Sequence, residues 1–367
     1  MMKKNIKWLQ YSIGSIIFMI SIISMFNYKI DSLGIFGNSN YLLSAAKTLT
    51  SGKMIAGLQN YDERLFQELI IKNLQVHNNA IAIGSSRTMQ LRKRFFLKDK
   101  SNFFNHSVSG ASLEDYISIV GAYEKIQGYL PSTIVLGIDP WIFNKYNGQN
   151  RWKTLSKYYN YEMKKIYNKK QNSTENVNIT KWKQLINYDY TISNIKFLET
   201  LLKNNGKVFY ITDTIDIDDF IKESDGSIHY PYKERYPNYD EVKKTAVSYA
   251  KGQVYSLEHF NTLSNTKLFE TFVKYLQSNG VNVIFFLPPY NPVTYDLLIK
   301  NKKYKYLTIA EHYINDFAIK NNITIKGSYN PHKYGFTNKN FIDGMHGHDG
   351  VAKKIFVYKS IIGTKVR

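Results

Sequence analysis

The hydrophobic positions of this chain fall into distinct patterns. Residues 8–28, WLQYSIGSIIFMISIISMFNY, form one uncharged stretch, close to the ~20 residues that carry a helix across a bilayer. Short apolar runs follow, several stopped abruptly by turn residues: 80–83 before Gly84-Ser85-Ser86, 102–105, 133–138 before Asp139-Pro140, and 281–287 before Pro288-Pro289. A weaker fifth run covers 323–325. Runs of this length, rich in branched and aromatic residues and bounded by Gly or Pro, read as buried strands. Between and after them, segments such as 295–320 and the stretch from Gly350 read as helices. Five strand–helix alternations predict an α/β fold, with a parallel sheet of about five strands flanked by helices on both faces.

Two segments interrupt this alternation. Residues 29–78 contain YDERLFQELIIKNLQV, whose apolar positions recur at helical spacing, and predict a membrane-proximal helical lead-in. From 146 to 278 the sequence is rich in Tyr, Lys and Asn. Helical stretches at 194–204 and 263–277 flank a turn-rich centre, SDGSIHYPYKERYPNYD, broken by Gly226, Pro231 and Pro237. This predicts a mainly helical insertion that caps a site. The expected organisation is a cytoplasmic tip and transmembrane anchor (1–28), the lead-in (29–78), a first part of the α/β domain (79–145), the cap (146–278) and the second part (279–367).

Charge gives the anchor a direction. Lys3, Lys4 and Lys7 precede the apolar stretch, so the positive-inside rule places the N-terminus in the cytoplasm and the rest of the chain outside the cell membrane. A cleaved signal peptide would require small residues after the apolar run, where Met25, Phe26, Asn27 and Tyr28 stand instead. The net charge of +20 invites anionic partners. Its lysines are dispersed and no recognition motif accompanies them, so nucleic acid is not an expected partner. The absence of cysteine excludes a disulfide framework, a thiolate zinc site and a cysteine nucleophile.

The chemistry-bearing residues follow the predicted strands. In an open parallel sheet, functional groups collect beyond the carboxyl ends of the strands; Ser86, Gly110, Asp139 and the segment holding Asp343 and His346 all follow such ends. A serine hydroxyl becomes nucleophilic when a base removes its proton and nearby donors hold the developing oxyanion. Ser85 is an alternative nucleophile and His348 an alternative base. Asp343, His346, His348 and Asp349 also have the residue types of a metal site, although neither metal nor cofactor is expected.

IAIGSSRTMQ (81–90) resembles the first block of the SGNH/GDSL hydrolases, in which a Gly-x-Ser turn presents the nucleophile; here Ser85 replaces the usual Asp. FIDGMHGHDG (341–350) resembles their last block, with Asp343 and His346 three residues apart. The resemblance implies a flavodoxin-like sheet, Ser86 as nucleophile, His346 as base and Asp343 as its orienting acid. It also implies oxyanion amides from Ser86 and from Gly110 in NHSVSGASLEDY. The third block, usually Gly-x-Asn-Asp, is replaced by Gly137-Ile138-Asp139-Pro140. An ionised Asp139 would repel an oxyanion, so it is expected to pair with Arg87 instead. Trp141, Tyr230 and Tyr232 are candidate flat faces for sugar rings.

With its anchor and Gly-x-Ser-Arg turn, the chain looks most like membrane-anchored proteins of cell-envelope polysaccharide O-acetylation and D-alanyl transfer. That likeness implies acyl transfer, most simply of acetyl, through an acyl-serine to a cell-surface glycan or wall polymer, with a multi-spanning membrane acyltransferase as a partner. The rival expectations are a lipase or carbohydrate esterase using water as acceptor, and a non-catalytic polymer-binding assembly protein of the same fold.

Overall fold

The computed structural model describes residues 2–37, 40–95, 102–168, 182–203 and 206–357. Its first helix, Met2–Ile30, contains a stretch from Ile6 long and apolar enough to cross a membrane, and the rest of the protein leaves that stretch uncovered. The end of the helix is gripped by polar groups. Asn27 Nδ2 donates to Leu185 O and Thr191 Oγ1, both at 2.8 Å, and Asn27 Oδ1 accepts from Asn194 Nδ2 at 2.9 Å. Tyr190 Oη donates to Asp31 Oδ1 at 2.8 Å. Leu185 to Asn194 belong to the insertion, which thus holds the end of the apolar helix.

Among the described residues nine strands follow in chain order: β1 (Met54–Ala56), β2 (Ala80–Ile83), β3 (Phe103–Asn105), β4 (Thr133–Gly137), β5 (Tyr210–Thr212), β6 (Ile221–Lys222), β7 (Ile228–His229), β8 (Asn282–Leu287) and β9 (Thr324–Gly327). Five form a wholly parallel sheet in the order β3-β2-β4-β8-β9. Counted within the sheet this is 2-1-3-4-5, the order of a flavodoxin-like doubly wound fold, whose switch point lies between its first and third strands. Side chains alternate between two buried faces. Ile81, Ile83, Ile134, Leu136, Val283 and Phe285 enter the larger core, while Ala80, Ala82, Val135 and Phe286 enter a smaller one shared with the C-terminal helix Asp349–Val357.

The expected single helix over 295–320 is divided into Pro292–Lys300 and Lys305–Lys320. Asn301 makes the break: its backbone is extended (φ −96°, ψ 114°) and its side chain accepts from Lys303 N, capping the short turn that follows. The expected helix at 194–204 begins earlier, at Tyr188–Lys203, with Asn204 outside the described residues. The expected helix at 263–277 is Thr266–Ser278.

The lead-in and the cap share a structure that their helical spacing did not announce. The lead-in contains helices Asn40–Thr50 and Glu63–Lys72 but also β1, and the insertion contributes β5, β6 and β7. These make a second, antiparallel sheet in the order β5-β1-β6-β7. Two buried arginines tie this sheet and the lead-in to the α/β domain. Arg64 makes a forked pair with Asp115, both bonds 2.9 Å, and Arg92 donates to Glu223, Ser227 Oγ and Ile228 O.

Candidate active site

β2 runs into a turn with no room for a side chain at its first position. A Cβ on Gly84 would lie 2.4 Å from Thr88 Oγ1 and 3.0 Å from Gly137 O. The turn closes with Thr88 N donating to Ser85 O and Met89 N to Ser86 O. Asn105 Nδ2, at the end of β3, braces it through the carbonyls of Thr88 and Leu91, both at 3.0 Å. Within this turn the two serines part. Ser85 is fully buried and its Oγ accepts from Arg87 N, whereas Ser86 lines a cavity.

The segment after the last parallel strand brings back His346, the expected base. Phe341 bridges Gly347 and Ile342 N donates to His346 O, making a tight loop. Asp343 Oδ1 accepts from the amides of Met345 and His346, each at 2.7 Å, so the carboxylate organises its own loop. Its other oxygen lies 2.8 Å from His346 Nδ1, and His346 Nε2 lies 2.9 Å from Ser86 Oγ. With Asp343 on the Nδ1 side, that nitrogen carries the proton and Nε2 accepts from the serine hydroxyl. Burial alone would raise the pKa of Asp343. The adjoining imidazole and the hydrogen bonds from His346 and Met345 outweigh it, holding the carboxyl below its ordinary value.

Arg87 locks three strand ends together. Its NH1 donates to Asp139 Oδ1 at 2.7 Å, its Nε to Met345 O at 3.0 Å and its NH2 to Pro288 O at 2.5 Å, and the guanidinium lies 3.9 Å from the Tyr290 ring centroid. Both charged side chains are out of contact with solvent. Burial raises the pKa of Asp139, and Arg87 opposes it. The expected pairing of Arg87 with Asp139 is thus present.

The cavity at Ser86 encloses about 460 Å³. Ser86, His346 and Tyr230 stand together in its wall. Ser109 and Glu63 come from the α/β domain and the lead-in, and Ile221, Lys222 and Ile228 from the second sheet. Through Tyr61, Glu63 and Ser109 it adjoins a groove of about 290 Å³ that reaches Leu33 and Arg151.

The other sequence-derived residues divide. Tyr230 is nearly buried, its ring 5.8 Å from that of His346. Trp141, expected at a sugar face, is instead wholly enclosed in the core, its indole N–H donating to Ala111 O at 3.0 Å. The apolar run that ends β4 carries it inward. Tyr232 is exposed but outside the cavity lining, packed against Tyr236. Gly110 has φ +56°, and a Cβ there would lie 2.0 Å from Tyr255 Oη; its neighbour Ser109, not Gly110, lines the cavity. The left-handed backbone at this position favours glycine, beneath the Tyr255, Arg151 and Gln149 side chains of the insertion. His348 lines a separate crevice with Arg87, Gln90 and Met345, and burial lowers its pKa. Among the described residues no group of three or more His, Asp or Glu side chains converges as a metal site.

Sequence reasoning missed Asn105, Glu63, Ser109 and Lys222. Asn105 alone carried a signal, as a polar residue ending a buried strand. The others enter through the second sheet and the lead-in, whose short strands leave no clear periodicity. No protein-family model matches the chain, and no curated protein matches it in sequence.

Proposed function

We propose that the protein is an extracytoplasmic serine acyltransferase that moves an acyl group, acetyl in the simplest case, onto a hydroxyl of a cell-surface glycan or wall polymer. The observation that carries this reading is the unbroken relay from Asp343 through His346 to Ser86, joining residues 260 positions apart, with Ser86 just past the first strand of the parallel sheet. The SGNH-like blocks noted in the sequence agree with it, and the apolar N-terminal helix supports attachment to the membrane.

In this mechanism Ser86 Oγ attacks the acyl carbon of the donor while His346 Nε2 takes its proton, and Asp343 stabilises the imidazolium. The proton then passes to the leaving oxygen, giving acyl-Ser86 and the free donor alcohol. The acceptor hydroxyl attacks next, again losing its proton to His346, and serine is regenerated. The Ser86 amide is the proposed oxyanion donor. Asp139 is spent on Arg87 and takes no part in that role. The walls supplied by the second sheet restrict water around the acyl-serine, which favours transfer over hydrolysis.

The test is labelling of the detergent-solubilised full chain with a fluorophosphonate, followed by peptide mapping. A single adduct on Ser86, lost in His346→Ala, is expected. Absence of any serine adduct, or modification of Ser85 instead, would overturn the proposal.

A further inference from the structure

Apolar side chains stand exposed around the end of the N-terminal helix. The helix rises about 30 Å from Trp8 to Tyr28, which matches the ~30 Å hydrocarbon core of a bilayer. Where that stretch crosses a membrane, Tyr28 and its neighbour Asn27 fall at the edge of the core. Groups of the insertion are bonded to Asn27 and so share its level: Leu185 O and Thr191 Oγ1, each 2.8 Å away, and Asn194 Nδ2 at 2.9 Å. Aromatic packing repeats the link, for the Phe36 ring centroid lies 5.4 Å from that of Tyr28 and 5.7 Å from that of Trp182.

The side chains next to these groups are apolar and open. Ile186 follows Leu185, Ile195 follows Asn194, and Tyr188 stands about one turn before Thr191 on the helix Tyr188–Lys203. With Trp182, these residues are between 41% and 76% exposed. Single apolar residues scattered on a surface are ordinary. A cluster at this level is different, because about 5–7 Å of headgroup region lies outside the core on each side of a bilayer. The level follows from the bonds to Asn27, whichever way each side chain points. Trp and Tyr are the residues that collect at this depth. Between 182 and 196 the exposed charges are Lys183, Asp189 and Lys196, and Lys29 is exposed on the apolar helix itself, a basic excess that suits lipid phosphates.

We propose that the stretch of the insertion carrying Trp182, Ile186, Tyr188 and Ile195 is a second membrane contact, an interfacial surface that rests among lipid headgroups beside the apolar helix. This rests on the reading that the helix crosses a bilayer. A single spanning helix leaves the attached domain free to tilt; a second contact beside it sets which face the domain turns to the membrane.

The chain has no cysteine, so single cysteines in the full-length protein take a nitroxide label without further substitution. Ile186→Cys, Tyr188→Cys and Ile195→Cys are compared with Ile16→Cys, inside the apolar stretch, and with Ile319→Cys, a 79% exposed position on the helix Lys305–Lys320. Each is placed in nanodiscs of phosphatidylcholine and phosphatidylglycerol holding one chain and no other protein, so neither a second copy nor a partner covers the label. The readout is the ratio of collisions with oxygen, which concentrates in lipid, to collisions with a water-soluble nickel chelate. Labels seated ~5–10 Å into the interface should give ratios at least about threefold above that of Ile319→Cys and below that of Ile16→Cys. Ratios at 186, 188 and 195 equal to that at 319, with Ile16→Cys still in lipid, would overturn the second contact and leave the spanning helix standing. A water-like ratio at Ile16→Cys would sink the spanning reading itself, and the contact with it.

Discussion

Replacing Arg87 with methionine tests whether the charge pair behind the nucleophile is structural. The substitution keeps much of the side chain's bulk but removes the donors to Asp139, Met345 O and Pro288 O. Asp139 is then left wholly buried without a counter-charge, and its Oδ2 lacks a partner even in the intact protein. Breaking a buried pair from one side costs about 3–5 kcal/mol. Burial already raises the Asp139 pKa, so protonation of the orphaned acid relieves part of this and favours the lower end, about 3 kcal/mol. At roughly 1–2 °C per kcal/mol for a chain of this size, Tm should fall by about 3–6 °C.

Asp139→Asn keeps the shape and loses only the charge. Arg87 retains two carbonyl acceptors and the Tyr290 face, so the loss should be smaller, about 1–3 kcal/mol. The double mutant should resemble Arg87→Met alone, because the two residues act as one unit. Acylation should fall with stability. Met345, whose carbonyl Arg87 holds, immediately precedes His346, and a displacement of the base near 1 Å costs on the order of 10²-fold in rate. Thermal melts and fluorophosphonate labelling rates of the three variants decide the matter. Strictly additive losses would refute the coupling, and faster acylation in Asp139→Asn would show instead that the carboxylate obstructs the oxyanion.

Ser86→Ala and His346→Ala should each remove most acyl transfer without lowering Tm appreciably, and the double mutant should be no worse than the poorer single; His348→Ala should keep substantial activity, and an inactive His348→Ala would reassign the base. The folded-state pKa of Asp343 lies below its ordinary 3.8, so its contribution to stability is present above about pH 4 and is lost as pH falls through that depressed value; melts from about pH 5 downwards should show a shallower acid decline for Asp343→Asn than for the native chain. Glu162 is buried, and burial together with the neighbouring Glu124 carboxyl raises its pKa. Stability tied to a raised acid is greatest below its ordinary 4.5 and declines as pH rises toward the folded value, so Glu162→Gln should raise Tm more at about pH 8 than at about pH 5. Asn194→Ala removes the donor to Asn27 and the acceptor of Ser32 N, both buried, and should cost about 1–3 kcal/mol, seen as earlier proteolysis at the junction between anchor and cap.

The parallel sheet was legible because both of its faces are buried. Each strand is then a short continuous apolar run ended by a breaker, a signal that survives in one sequence. The relay was legible for a related reason: its parts sit where such runs end, and Asp343 and His346 are close enough along the chain for one loop to aim both. Trp141 shows the limit of residue-type reasoning, since an aromatic after a strand serves a core as readily as a sugar face. The second sheet was hidden because β6 and β7 have two residues each and β1 and β5 three, too few for alternation to stand out. The pairings of β1 with β5 and β6 also join residues more than 150 positions apart, as Met54 with Thr212, which local spacing cannot reveal.

That hidden sheet changes how the membrane segment relates to the chemistry. Asn27 and Asp31, at the end of the anchor, bond to the helical part of the insertion. Further along the same helix, Phe197 packs on Tyr41 with ring centroids 5.2 Å apart. Tyr41 begins the helix whose Leu42, Ala45 and Leu49 share a core with Ile55, Leu58 and Phe66. Ile55 and Leu58 are themselves in the cavity wall with Ser86. Packed side chains therefore run without interruption from the anchor's exit to the nucleophile's chamber, and no flexible tether intervenes along this path. Interiors of this density transmit displacement and do not absorb it. The position of Ser86 relative to the apolar N-terminal helix is consequently set by the fold, and in the proposed reaction an acyl donor would have to meet the serine there.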